Sequence, residues 1–179
     1  TETACGSSSC QGKKPFVRCM GTSERVLDYI YRLGIFVVAQ VIRLNGPLTE
    51  GDLVNGLAAL QNRHPLLRVH LPNASSDFVE AGTEPIELHS LVRENAEHWQ
   101  RAYAEQIAAP QPYGRRPLVR VTWLRDATGQ EHDLITSGSH IILDGAAGTA
   151  YYRDLLSACA RSIEGGSAFG EALEAVPSL

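Results

Sequence analysis

Apolar residues recur at helical spacing in four stretches and cluster or alternate between them, so the chain reads as helices interleaved with strands. Ser23 can cap a first helix carrying Val26, Leu27, Ile30, Tyr31 and Leu33 on one side, with Gly34 stopping it. Ile35 to Leu44 (IFVVAQVIRL) is β-branched and almost continuously apolar, the pattern of a strand buried on both faces. Asn45-Gly46-Pro47 turns the chain, and Thr49 can cap a second helix with Leu53, Val54, Leu57, Ala58 and Leu60 on one side. That helix has to end near His64, because Pro65 biases the residue before it away from helical geometry. Leu66 to Leu71 reads as a strand, and Phe78-Val79 and Ile86 to Leu88 as shorter ones flanking a turn at Gly82. Glu94 to Ala108 repeats Trp99, Ala102, Tyr103, Gln106 and Ile107 at helical spacing before Pro110 and Pro112 close it. Leu118 to Leu124 and Asp133 to Leu143 are strand-like runs joined through Asp126-Ala127-Thr128-Gly129, a hairpin connection. A last helix runs from Gly145 to about Ile163, with Leu155, Leu156, Ala158 and Cys159 among its apolar positions, and Gly165-Gly166 ends it.

This order predicts an α/β fold, or an α+β one in two layers: a mixed sheet with helices packed on it. Residues 1–14 are small, polar and without apolar periodicity, and read as a flexible leader. Residues 15–163 form the packed lobe, and 164–179 a tail or crossover linker. A chain of 179 residues is long enough to bury a core by itself, and 44% hydrophobic with 20% charged residues is the mix of a globular protein. The net charge of −4, without a basic cluster interleaved with aromatic residues, argues against a nucleic-acid partner. Apolar stretches such as Ile35 to Val41 are too short to span a bilayer, and the expected location is cytoplasmic. Cys5, Cys10, Cys19 and Cys159 fit no paired Cys-x-x-Cys zinc spacing and read as unpaired thiols.

The constellation that can carry chemistry is Ser139-His140-Ile141-Ile142-Leu143-Asp144-Gly145. It delivers a histidine near the end of an apolar element, where a partly dry imidazole can take a proton at neutral pH. Asp144 can fix the loop by pairing with an arginine or by capping the next helix, and Gly145 leaves room for a tight turn and for substrate. Ser139 is no nucleophile partner for His140, because successive strand side chains point to opposite faces. Nor do His140 and Asp144 make a metal site, since no third ligand is evident.

H-x-x-x-D-G between an apolar strand and a helix resembles the signature of the chloramphenicol acetyltransferase-like superfamily, which includes peptide-synthetase condensation domains, polyketide-associated acyltransferases and fungal alcohol acetyltransferases. Arg63-His64-Pro65-Leu66-Leu67-Arg68 is similar to the R-H-x-x-L-R segment of condensation domains. Arg18-x-x-Gly21-x-x-Glu24 with Arg32-Leu33-Gly34 resembles the opening of the alcohol acetyltransferase branch. The resemblance implies the N-terminal half of that fold and a direct acyl transfer. His140 would be the general base, Asp144 the structural acid, and Gly145 and Ser139 would stand beside the substrate. The resemblance further implies no bound cofactor, a thioester co-substrate, an acyl-CoA first and an acyl-carrier protein as the alternative, and a small alcohol or amine as acceptor. Two departures stand out: Ser139 replaces a histidine that many relatives carry, and the family's later D-F-G-W-G-type motif is absent. Such members have two lobes, so a C-terminal lobe is expected in the same or a separate chain.

Plainer readings sit beside these. Arg63, His64 and Arg68 would bind a coenzyme A phosphate in one account and complement a helix C-terminus in the favoured one. His132 is expected to be exposed beside the turn at Gly129. For the whole chain, the acyl-CoA transferase competes with a carrier-dependent condensation domain and with a non-catalytic binding or assembly lobe.

Overall fold

A computed structural model describes residues 17–33, 37–74, 76–110, 112–166 and 173. The leader, Ile35 and Phe36, and most of the tail therefore lie outside the described residues. The elements are β1 (Val17–Arg18), α1 (Thr22–Arg32), β2 (Val37–Asn45), α2 (Glu50–Arg63), a 3-10 turn (Pro65–Leu67), β3 (Phe78–Val79), β4 (Leu88–Val92), α3 (His98–Ala108), β5 (Val119–Arg125), β6 (Glu131–Ser139) and α4 (Gly145–Ile163).

Four strands form a mixed sheet in the order β2-β6-β5-β4, with β4 parallel to β5 and the other neighbours antiparallel. Side-chain alternation splits the core into two faces. Leu134, Val121 and Trp123 join Leu53, Leu57, Leu60 and Leu155 of α2 and α4 in one cluster, while Ile135 and Leu124 pack with Ala102 of α3 in another. Helices thus cover both faces of the sheet. The Tyr152 hydroxyl donates to the carbonyls of Gln40 and Leu134 at 3.0 and 3.3 Å, tying α4 to β2 and β6.

The turn chemistry follows the sequence. Thr49 and Asp52 form a capping box at the start of α2, and His64 ends it ahead of Pro65. The β5–β6 hairpin closes on Asp126, whose Oδ1 accepts the Gln130 N–H at 2.9 Å, with Gly129 at φ +69°.

Several elements depart from the pattern. Among the described residues β2 is an edge strand, hydrogen-bonded only to β6, and its residues are half-buried or exposed. Its continuous apolar run marks partial cover by helices on both faces, not an interior place. Leu66 to Leu71 is not a strand: Pro65 starts the 3-10 turn, and only His70 makes a bridge, to Val79. Leu67, Val69 and Leu71 are nonetheless buried, which explains the strand-like alternation. β4 occupies Leu88–Val92, so Ile86 precedes it as a buried anchor. α3 starts at His98, later than Glu94, because the His98 Nδ1 accepts the Glu94 N–H and the Asn95 side chain accepts that of Glu97. α1 begins after Gly21 and turns Glu24, Asp28 and Tyr31 inward, leaving Val26, Tyr29 and Leu33 exposed. Its acidic residues are held by pairing: Arg18 meets Glu24 at 2.6 Å, and Arg32 meets Asp28 at 3.4 Å.

His132 is not exposed. It is fully buried, its Nε2–H donates to the Gly46 carbonyl at 2.9 Å, and its ring lies 5.4 Å from that of Trp123. Asp133 beside it is also buried and is held by Arg43 and Arg93, each at 2.7 Å.

Candidate active site

β6 ends at Ser139, so His140 stands in the turn after the strand and not inside it. The turn is tight. The Ser139 carbonyl accepts the N–H groups of both Ile142 and Leu143 at 3.1 Å, and the Ser139 N–H donates to the Leu118 carbonyl at 3.1 Å. The Ser139 hydroxyl accepts the Ile141 N–H at 3.4 Å. Ile141, Ile142 and Leu143 are all under 9% exposed and anchor the turn in the core, leaving His140 half-buried between Ser139 and Ile141.

Asp144 closes the turn. Its Oδ1 accepts the Ala147 N–H at 2.7 Å and makes it the N-cap of α4. Of the two roles open to it, capping is the one seen; among the described residues no arginine forms an ion pair with it. Gly145 begins the helix, exposed, with no atom within 4 Å of where a Cβ would stand. Its φ is not in the left-handed region, so the turn itself does not demand glycine. The turn carries a half-buried His140 at its start and an exposed Asp144 and Gly145 at its end. Ser139, by contrast, has no exposure at all, and its hydroxyl serves the turn.

An apolar pocket of about 260 Å³ adjoins this turn, lined by Ile142, Leu143, Ala147 and Tyr151 on one side and by His64 and Leu66 on the other. Its far wall depends on a residue the sequence pattern did not single out. Asp154 of α4 is buried and receives His64 Nε2 at 2.9 Å and Arg63 Nε at 3.3 Å. Burial alone would raise its carboxyl, but hydrogen bonds from Arg153 and His64, with their charges, outweigh that and hold it below the usual carboxylate range. Arg68 is committed to Glu80 at 2.6 Å. The Arg63-to-Arg68 segment is thus a pinned helix end, with its cations on named acids. The signal for Asp154 lay in its spacing: it shares a helical face with Tyr151, Leu155 and Ala158.

Cys19 is exposed and Cys159 buried, both as free thiols; Cys5 and Cys10 lie outside the described residues. Among the described residues, no group of three or more His, Cys, Asp or Glu side chains is placed to hold a metal ion. No helix of these residues is long and apolar enough to cross a membrane.

No family model matches the sequence. Chondramide synthase cmdD of Chondromyces crocatus is 30% identical over 138 residues, covering 69% of this chain and 3% of that protein. Solved structures give a wider view. The X-domain from teicoplanin biosynthesis superimposes with a TM-score of 0.74 at 19% identity, over 90% of this chain and 36% of that one. The first condensation domain of the CDA synthetase gives 0.71 at 16% identity, over 87% of this chain and 42% of that one. The starter condensation domain of rhizomide synthetase gives 0.73 at 14% identity, over 87% of this chain and 41% of that one. The chain has the chloramphenicol acetyltransferase-like fold, in its N-terminal lobe. This lobe spans less than half the length of the condensation domains it matches. Its His140 turn, between the last sheet strand and a capped helix, is the structural form of the H-x-x-x-D-G pattern in the sequence.

Proposed function

We propose that this chain is the N-terminal lobe of a condensation-type acyltransferase that uses a carrier-bound thioester, with His140 as general base. The acceptor amine or hydroxyl attacks the thioester carbonyl, its proton passes to the His140 imidazole, and the C–S bond breaks to release the carrier thiol, which takes a proton back. The observation that carries this reading is the placement of His140: half-buried, on a short turn closed by hydrogen bonds to the Ser139 carbonyl, just ahead of the exposed Asp144 and Gly145. Asp144 contributes by capping α4 and so closing the far end of the turn. The likeness to chondramide synthase and to two condensation domains supports the carrier-bound donor over free acyl-CoA.

In the full-length protein that contains this segment, His140→Ala should lower turnover with a loaded carrier by about 10²–10⁴-fold, or roughly 3–5 kcal/mol of barrier. Wild-type turnover in that variant would end the proposal. Full activity with free acyl-CoA and none with the carrier would reassign the donor.

A second reading, an assembly lobe that binds another protein, is supported by the likeness to the X-domain, a structure of which was solved as a complex with OxyB. It expects no transfer with either donor, even with a second lobe present.

A further inference from the structure

We propose that Gly138 is a positioning residue for His140: the space left by its missing side chain is the seat on which Leu143 rests, and Leu143 sets where the turn stands. The inference builds on the reading of His140 as the base. Gly138 is next to last in β6, paired with Val38 on one side and Val119 on the other, so its backbone is fixed from both edges. A Cβ added there would lie 2.5 Å from Leu143 Cδ1 and 3.2 Å from the Leu118 carbonyl oxygen. Its φ is not in the left-handed region, so glycine is needed for room and not for backbone freedom.

Carbon atoms pack at about 3.5–4.0 Å, so an alanine at 138 would have to push Leu143 back by about 1 Å or more. The strand cannot give way, being held on both sides and backed by the Leu118 carbonyl. Leu143 can, but it sits between His140 and the Asp144 cap, and its own N–H is bonded to the Ser139 carbonyl. In this proposal the displaced Leu143 side chain carries its backbone with it, and so the turn. Misplacing a catalytic group by about 1 Å can cost on the order of 10²-fold in rate.

The test uses the full-length protein with Gly138→Ala, Leu143→Val and the double variant, with His140→Ala alongside. Leu143→Val withdraws the methyl that touches Gly138, so it loosens the turn from the other side. Gly138→Ala should lower kcat by about 10²-fold with KM within about twofold, and Leu143→Val by about threefold to tenfold. The double variant should recover at least tenfold of the loss in Gly138→Ala. A role confined to stability would lower the folded fraction without this split of kcat from KM. Wild-type kcat in both single variants, or a double variant no better than Gly138→Ala, would overturn the proposal while His140→Ala stayed inactive. If Gly138→Ala does not fold, Leu143→Val decides: unaltered kcat overturns it. A fully active His140→Ala would instead defeat the underlying reading.

Discussion

At the scale of single residues, what matters is how each buried polar group is matched. Asp154 sits in an apolar helical face and is tolerable there because Arg63, His64 and Arg153 surround it. Its carboxyl is depressed, so the stability it contributes is present above the ordinary carboxylate value of about 3.9 and is lost as pH falls through the lower folded-state value. Its partners are partly open to solvent, which limits the effect. Asp154→Asn should therefore cost about 1–2 kcal/mol at pH 7, and the gap from wild type should shrink as pH is lowered into the strongly acidic range. Urea denaturation at pH 7 and pH 3 checks this; an equal gap at both would show that the carboxylate charge is not the cause. Residues of this kind were the hardest to read from the sequence. His132 alternates with Asp133 in a polar-looking stretch beside a hairpin, and nothing local shows that a carbonyl 86 positions away will accept its proton. His140 could be singled out because its neighbours form a motif, whereas its place in a turn beyond the strand and the burial of Ser139 became visible only with the structure.

At the scale of elements, the caps and breakers did most to specify the fold. Thr49, Pro65, Asp126 and Asp144 each act locally, through hydrogen bonds or ring geometry within a few residues, and each marked a boundary that the structure shares. Long-range pairing is what the pattern could not encode. Leu66 to Leu71 has the alternation of a strand, but only His70 finds a partner. The contact between α2 and α4 depends likewise on a residue without periodicity value: a Cβ at Gly56 would lie 2.7 Å from Cys159 Sγ and 3.2 Å from Leu155 Cδ1. That thiol is pushed up to about 11, chiefly by burial, so it behaves as packing and not as a nucleophile. Two effects then compete in Gly56→Ala. Helix propensity favours alanine by about 1 kcal/mol, and overpacking typically costs about 1–3 kcal/mol. The clash should win, making Gly56→Ala destabilising by about 1 kcal/mol. In a Cys159→Ala background the sulfur is gone and the same change should become neutral or stabilising. Thermal unfolding of the four chains reads the reversal, and an equal loss in both backgrounds would place the strain somewhere other than the sulfur.

At the scale of the whole molecule, the class of fold was legible because alternating helices and strands permit few layered solutions. The order of strands was not, and β2 shows the consequence. Its nine residues carry one charge, Arg43, and no proline, yet among the described residues it forms the edge of the sheet with a single partner. Edge strands of globular proteins are ordinarily short, charged or kinked, because an open row of N–H and C=O groups recruits other strands. A long apolar edge without such protection should make this lobe self-associate when it is produced by itself. Ala39 is half-buried, belongs to neither core cluster and lies mid-strand opposite Ser137, so a lysine there can run its stem along the sheet and keep its ammonium in water. Ala39→Lys should leave the melting temperature within a few degrees and sharply reduce the associated fraction seen by sedimentation velocity at tens of micromolar. Association that persists unchanged in Ala39→Lys would move the sticky surface elsewhere. The first places to look would then be the exposed Val26 and Tyr29 of α1 with Leu33 at its C-cap, and the exposed Leu91 and Val92 of β4, the opposite edge of the sheet.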